Sequence, residues 1–162
     1  MRIVGQVDFV AAGMAPGSAA WVAACAEVER AVVAVVWPPG AHDFSLNPAP
    51  HGNGVKPLKA PCLAALGDAG WLCESLPDFA PGVLRPGDLD AVKGRVGFEW
   101  ETGNVASLHR SLNKLSLCLL DGSLLGGLVV VPDRPLYRLL TDRISNADEI
   151  LPYRRLYERL PI

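Results

Sequence analysis

The sequence predicts an α/β domain in which a mixed β-sheet is flanked by helices, and three features carry that expectation. Residues 96–101, Val-Gly-Phe-Glu-Trp-Glu, place Phe98 and Trp100 against Glu99 and Glu101 with the period of two that a strand imposes. Residues 105–120 repeat leucine at helical spacing, with Leu108, Leu112, Leu115 and Leu119 on one face and Ser107, Arg110, Ser111 and Lys114 on the outward one. Residues 124–131 form a continuous apolar run, the pattern of a central strand covered on both sides.

The other elements follow in chain order. Ser18 has the chemistry of an N-cap, and residues 19–35 continue as a helix until Trp37-Pro38-Pro39-Gly40 stops it. The stretch 32–37 also reads as a strand. Residues 41–54 are loop-forming and end in His51-Gly52-Asn53-Gly54. A second helix is expected over 57–69, closed by Gly70, and a proline-rich crossing over 76–87 leads to strands at 89–92 and 96–101. Asp121-Gly122 turns the chain into the apolar run. A helix is expected near 136–140, and a last one over 148–160, interrupted at Pro152.

The 162 residues, 50% of them hydrophobic, suit one domain over 1–162 with a substantial core. A net charge of -2 gives no global sign of a nucleic-acid partner, so a DNA site would need local basic patches, and the arginines between Arg134 and Arg159 are one source. Cys25, Cys62, Cys73 and Cys118 form no C-x-x-C pair, so a zinc site or redox motif is unsupported and free buried thiols are expected. Residues 1–10 lack the apolar core of a signal peptide, and no apolar run is long enough to span a bilayer. A soluble protein of the reducing cytoplasm, with no membrane partner, is the expectation.

Glu99 and Glu101 share one side of their strand, and Asp88 and Asp90 crowd the strand before it. Clustered carboxylates repel unless a cation or proton neutralises them, and such a group can hold hard divalent ions that activate water against a phosphodiester. A lone Glu-x-Glu is more often the wet face of an edge strand. The crowding, followed at once by a helix carrying Asn104, His109, Arg110 and Lys114, favours the metal reading. His109 reads as structural, and Trp71 and Trp100 as core.

Separate blocks of the chain then match a known family. They are Trp37-Pro38, the run from Gly52 to Lys59, Gly70-Trp71 with Glu74, Leu89-Asp90-Ala91-Val92-Lys93, residues 96–104, His109-Arg110-Ser111-Leu112-Asn113-Lys114, and Leu139-Leu140-Thr141-Asp142-Arg143. In this order, from about residue 35 to 152, the chain closely resembles the BamHI-type restriction endonucleases of the PD-(D/E)XK nuclease superfamily. Glu-x-Glu-Thr-Gly-Asn followed by His-Arg-Ser-x-Asn-Lys is the most specific part.

The resemblance implies a restriction-endonuclease-like core and a type II enzyme that cuts both DNA strands at a short palindrome, GGATCC or a close relative of it. It implies that Asp90, Glu99 and Glu101 form a metal centre for Mg²⁺, two ions per active site, with Glu74 as an auxiliary carboxylate. Glu101 stands where most of the superfamily has lysine, and a glutamate there can act as general base. Lys59 would contact DNA phosphate, with a solvated lysine as the other reading. Base reading falls to Asn104, Arg110, Asp142 and Arg143, consistent with Arg bonding guanine, Asn adenine and Asp the cytosine amine. The alternatives are that Asn104 simply caps its helix and that Asp142-Arg143 is a local ion pair. A palindrome implies a homodimer, and a restriction system implies a cognate DNA methyltransferase.

Four departures stand out. Ala106 replaces a serine, the connection from Asp90 to Glu99 is short, and Leu120-Asp121-Gly122 lacks the polar dimer contacts of relatives. The C-terminal part is also short, since relatives continue past Leu151-Pro152-Tyr153 with another strand. A DNA-binding remnant that does not cut, and a less specific nuclease of the same superfamily, are the competing expectations.

Overall fold

In a computed structural model, which describes residues 1–9, 17–77 and 85–160, four strands form one mixed sheet in the order β1-β2-β3-β4. They are β1 (Leu72–Ser75), β2 (Leu89–Lys93), β3 (Val96–Trp100) and β4 (Gly126–Val130). The first three pair antiparallel, and β4 runs parallel to β3. The turn between β2 and β3 contains Gly94, whose φ of 55° suits glycine. The crossover from β3 to β4 is the helix α3 (Val105–Leu120), as a parallel connection requires.

β3 lies inside the sheet and is buried along its whole length. Phe98 and Trp100 enter a core with α1 (Ala19–Val33) and α2 (Lys56–Asp68), where Trp71 stacks edge-on to Phe98. A second, smaller core joins Leu89, Val92, Leu115, Cys118 and Leu124 under α3. Gly97 belongs to this second side, where a Cβ would stand 2.8 Å from both Leu115 and Leu124. Its missing side chain lets α3 settle onto β3. Glu99, two residues on, therefore also faces α3.

The helix boundaries follow local chemistry. Ser18 accepts a hydrogen bond from Trp21 N, capping α1, and Asn104 accepts one from Ser107 N, capping α3. α1 ends at Val33, so the expected helix runs slightly long, and Trp37 only bridges to Phe44. α2 ends at Asp68 with Ala69 as C-cap, and Gly70, with a φ of 85°, turns the chain away. The chain after β4 is broken into single turns: α4 (Arg134–Tyr137), α5 (Ala147–Ile150) and α6 (Arg154–Tyr157), with a 3-10 turn at Leu151–Tyr153 holding Pro152.

Several expectations need correction. β1 was not foreseen, because its four residues are mostly exposed and show no apolar alternation. β4 is an edge strand of the described sheet rather than a central one. Its apolar run reflects cover on both faces: a Cβ on Gly126 would strike Trp21 of α1, and one on Gly127 would meet Leu115 of α3. Ser111 and Lys114 are buried, not outward, because the inner face of α3 is rotated toward Leu108, Ser111, Leu115 and Cys118. Cys73 is exposed, while Cys62 and Cys118 are buried as expected and all four thiols are free. The proline-rich crossing over 76–87 lies mostly outside the described residues.

Candidate active site

The end of β3 delivers two acidic side chains into the interior. Glu99 is 3% exposed and Glu101 6% exposed, which removes the reading of a wetted edge strand. A buried carboxylate needs compensation, and α3 provides it. Lys114 forms an ion pair with Glu99 Oε1 and also donates to Asp88 O at 2.7 Å. Ser111, one turn earlier, donates to Glu101 Oε2 at 2.8 Å, and Gly103 N donates to Glu101 Oε1 at 2.6 Å. Gly103 suits the close approach there, since a Cβ would lie 2.7 Å from Glu101 Oε1 and 2.9 Å from Ser107 Cβ.

Asp90 sits on β2, level with Glu99 in the register set by Ala91↔Phe98 and Val92↔Gly97. Its Oδ2 accepts from Trp100 N at 2.8 Å, and its Oδ1 accepts from Lys59 Nζ of α2 at 2.6 Å. Lys59 is thus neither a purely solvated lysine nor free of the site. Each of the two facing carboxylates has turned to a lysine from a different helix. Glu74 lies on β1 between the pairs Cys73↔Ala91 and Ser75↔Leu89, which sets it across from Asp90, but it is exposed and its φ of 48° twists the strand there.

Electrostatics mark Glu99 as the strained member of the group. Burial pushes its carboxyl up to about 7, outweighing the hydrogen bond and attraction of Lys114, and the charges of Asp90 and Glu101 add to the rise. Glu99 Oε1 is closed off from solvent and faces Lys114 Nζ as its ion-pair partner.

Among the described residues, no three His, Cys, Asp or Glu side chains converge tightly enough to form a ready metal cage. The donor set nevertheless fits a hard divalent ion in kind. It offers the carboxylate oxygens of Asp90, Glu99 and Glu101, and two lysine ammonium groups already stand as positive charge against these three carboxylates.

The candidate base readers are all exposed. Asn104 uses Oδ1 for its cap, as in the simpler reading, and Nδ2 has no partner among the described residues. Arg110 lies on the outer face of α3, beside a groove of about 500 Å³ lined by Ala106, His109, Asn113, Lys114 and Leu117. His109 stacks edge-on against Tyr153, which supports its structural role. Asp142 accepts from Arg143 N at 2.9 Å, and the two make no side-chain ion pair among the described residues. Ser145 N donates to Gly103 O at 2.6 Å, so the segment carrying Asp142 and Arg143 is tied to the loop carrying Asn104.

Comparison with known proteins decides the family. The model of the family described as restriction endonuclease BamHI matches residues 1–162. The chain belongs to this BamHI family of restriction endonucleases. It is 44% identical over 131 residues to the type II restriction enzyme OkrAI of Oceanobacter kriegii, covering 78% of this chain and 67% of that one. It is 35% identical over 146 residues to the type II restriction enzyme BamHI of Bacillus amyloliquefaciens, covering 83% of this chain and 68% of that one. Membership makes the chain a type II site-specific deoxyribonuclease by class and its mixed sheet a restriction-endonuclease-like α/β fold. No helix among the described residues is long and apolar enough to cross a membrane.

The sequence pattern assigns Ser111 and Lys114 no contact with the carboxylates of the candidate site, yet they hold Glu101 and Glu99. A signal was present. Both lie on the stripe through Leu108, Leu115 and Cys118, and a polar residue on a core stripe calls for a buried partner.

Proposed function

We propose that this chain, as a single restriction-endonuclease-like domain, cleaves both strands of DNA at a short palindrome, GGATCC or a closely related sequence, with Mg²⁺. The observation that carries this reading is the buried pair Glu99 and Glu101, held under α3 beside Asp90 in a member of the BamHI family. Asp90, Glu99 and Glu101, with Glu74 as auxiliary, are the residues that would hold Mg²⁺, two ions per site, which neutralises charge on the phosphodiester and lowers the pKa of bound water.

The protein's own residues do the remaining work. Glu101 is fixed by Ser111 and Gly103 N in one orientation and takes a proton from the attacking water as general base. Lys114 holds Glu99 under the helix, and Lys59 orients Asp90 or swings to a phosphate oxygen. Asn104, Arg110, Asp142 and Arg143 read base edges in the major groove.

A palindrome calls for a two-fold homodimer on double-stranded DNA. Support comes from exposed apolar side chains: Leu117 and Leu120 on α3, and Leu151, Tyr153 and Leu156, in a segment joined to α3 by the His109–Tyr153 stack and by Tyr157 Oη, which donates to Asn113 Oδ1. The system would include a cognate DNA methyltransferase and operate in the cytoplasm. A second reading, a relative that binds the palindrome without cutting, draws on the lysines seated on Asp90 and Glu99 and on the missing ready cage.

A digest separates the two. Linear DNA with one GGATCC site, incubated with purified protein and Mg²⁺, should give two fragments, while a one-base-changed site stays intact. Binding without product, from folded protein in Mg²⁺ or Mn²⁺, would select the second reading. Cleavage of many unrelated sequences would sink the specificity.

A further inference from the structure

We propose that Asn53 is a specificity-positioning residue: it clamps the segment bearing Asp142 and Arg143 in the place from which those side chains read DNA. The inference rests on the base-reading role assigned to that pair. Asn53 precedes α2, 89 positions before Asp142, and its polar side chain is only 6% exposed. Its Nδ2 donates to Leu139 O at 2.7 Å and to Asn47 O at 2.9 Å, and its Oδ1 accepts from Asn47 N at 2.9 Å. Its backbone N donates to Leu139 O at 3.1 Å, and its carbonyl accepts from Thr141 N at 2.7 Å and Thr141 Oγ1 at 3.0 Å. Nearby, His51 N donates to Arg138 O at 3.0 Å, and the His51 ring lies against Tyr137.

The carboxamide holds Leu139 and the backbone carbonyl beside it holds Thr141, one residue before the reading pair. On the other side Ser145 N is fastened to Gly103 O. Residues 142–144 therefore bridge two anchors, and Arg143 holds a left-handed φ of 67° that an untethered chain has little reason to keep. Asn53 satisfies two carbonyl acceptors and one N–H donor with one carboxamide, a set that Ala lacks and Asp cannot supply. The same residue lies three positions before α2, the helix whose Lys59 bonds Asp90. Placement of the reading segment and of the catalytic side thus meets at one buried residue, whose carboxamide and backbone both bond the segment.

Equilibrium binding without divalent metal is the test, because it is independent of cleavage. Affinity for a GGATCC duplex is compared with affinity for duplexes changed at each half-site position, for wild type, Asn53→Ala, Asp142→Ala, Arg143→Ala and Arg110→Ala. Asn53→Ala should lower discrimination by about tenfold, the scale of a base contact of about 1.4 kcal/mol. The loss should fall at the positions where Asp142→Ala and Arg143→Ala lose theirs, and spare those relaxed by Arg110→Ala alone. Asn53→Ser serves if the alanine variant does not fold. Full discrimination in a folded Asn53 variant, with the Asp142 and Arg143 variants relaxed, overturns the proposal, as does a loss spread evenly over all positions. Failure of both Asn53 variants to fold overturns it too, since the residue is then structural. Unchanged discrimination in the Asp142 and Arg143 variants would instead sink the base-reading assignment itself.

Discussion

The unit formed by β3 and α3 and the segment from Arg138 to Asn146 are built by different means. In the first, a fully buried strand lies under a long helix, and the charged groups are paired inside: Glu99 with Lys114, Glu101 with Ser111. In the second, backbone bonds to Asn53 and Gly103 hold an exposed chain, and Asp142 and Arg143 stand at the surface. On the proposed assignment, chemistry is placed on rigid elements that exclude water, and recognition on a tethered loop that can meet a DNA surface. The two should fail separately when mutated.

The largest effect is expected at Glu101. Replacing it with Ala should lower the cleavage rate at least about 1000-fold, within the range of a lost general base, while DNA binding stays within a few-fold of wild type. A parallel loss of binding would merge the two regions into one. Lys114→Met leaves the Glu99 carboxylate without its partner and should lower stability by about 3 kcal/mol at pH 8, measured by urea unfolding. The loss should shrink near pH 6, where Glu99 takes a proton.

pH offers a test without mutation. Burial raises Glu99 from 4.5 to about 7, so between these values the folded chain holds a proton that the unfolded chain has released. The metal-free contribution to stability is therefore complete below about pH 4.5 and is lost as pH rises through about 7, amounting to about 3 kcal/mol. Mg²⁺ would compete with this proton, so at limiting Mg²⁺ cleavage should run the other way, rising with pH as Glu99 ionises. In the loop, Arg143→Ala should weaken binding of the palindrome by about 1–3 kcal/mol with little change in melting temperature. Ser111→Ala is the mildest change, removing one hydrogen bond and about 1 kcal/mol of stability, with cleavage lowered as Glu101 loses its orientation.

The same contrast governed what the sequence revealed. The period of two across Phe98–Glu101 and the Asn104 cap gave β3 and α3 nearly to the residue, because each element is fixed by its own local pattern. The rotation of α3 departs from the leucine pattern. A periodicity of leucines does not register that Ser111 and Lys114 have carboxylates waiting beneath them. β1 stayed hidden because its pairing with β2, not its composition, makes it a strand. The role of Asn53 depends on partners more than 80 positions away, and no local pattern encodes it. Resemblance supplied Asp142 and Arg143, which composition alone would have left as a surface ion pair.

The most direct measurement follows wild type and Glu101→Ala on one labelled duplex, scoring binding without metal and cutting after Mg²⁺ is added. If Glu101 is the base of a separate cutting centre, both proteins bind with affinities within about threefold, on the scale of a distant site, and only wild type cuts. Cutting by Glu101→Ala at the wild-type rate would contradict the assignment of the chemistry to the end of β3.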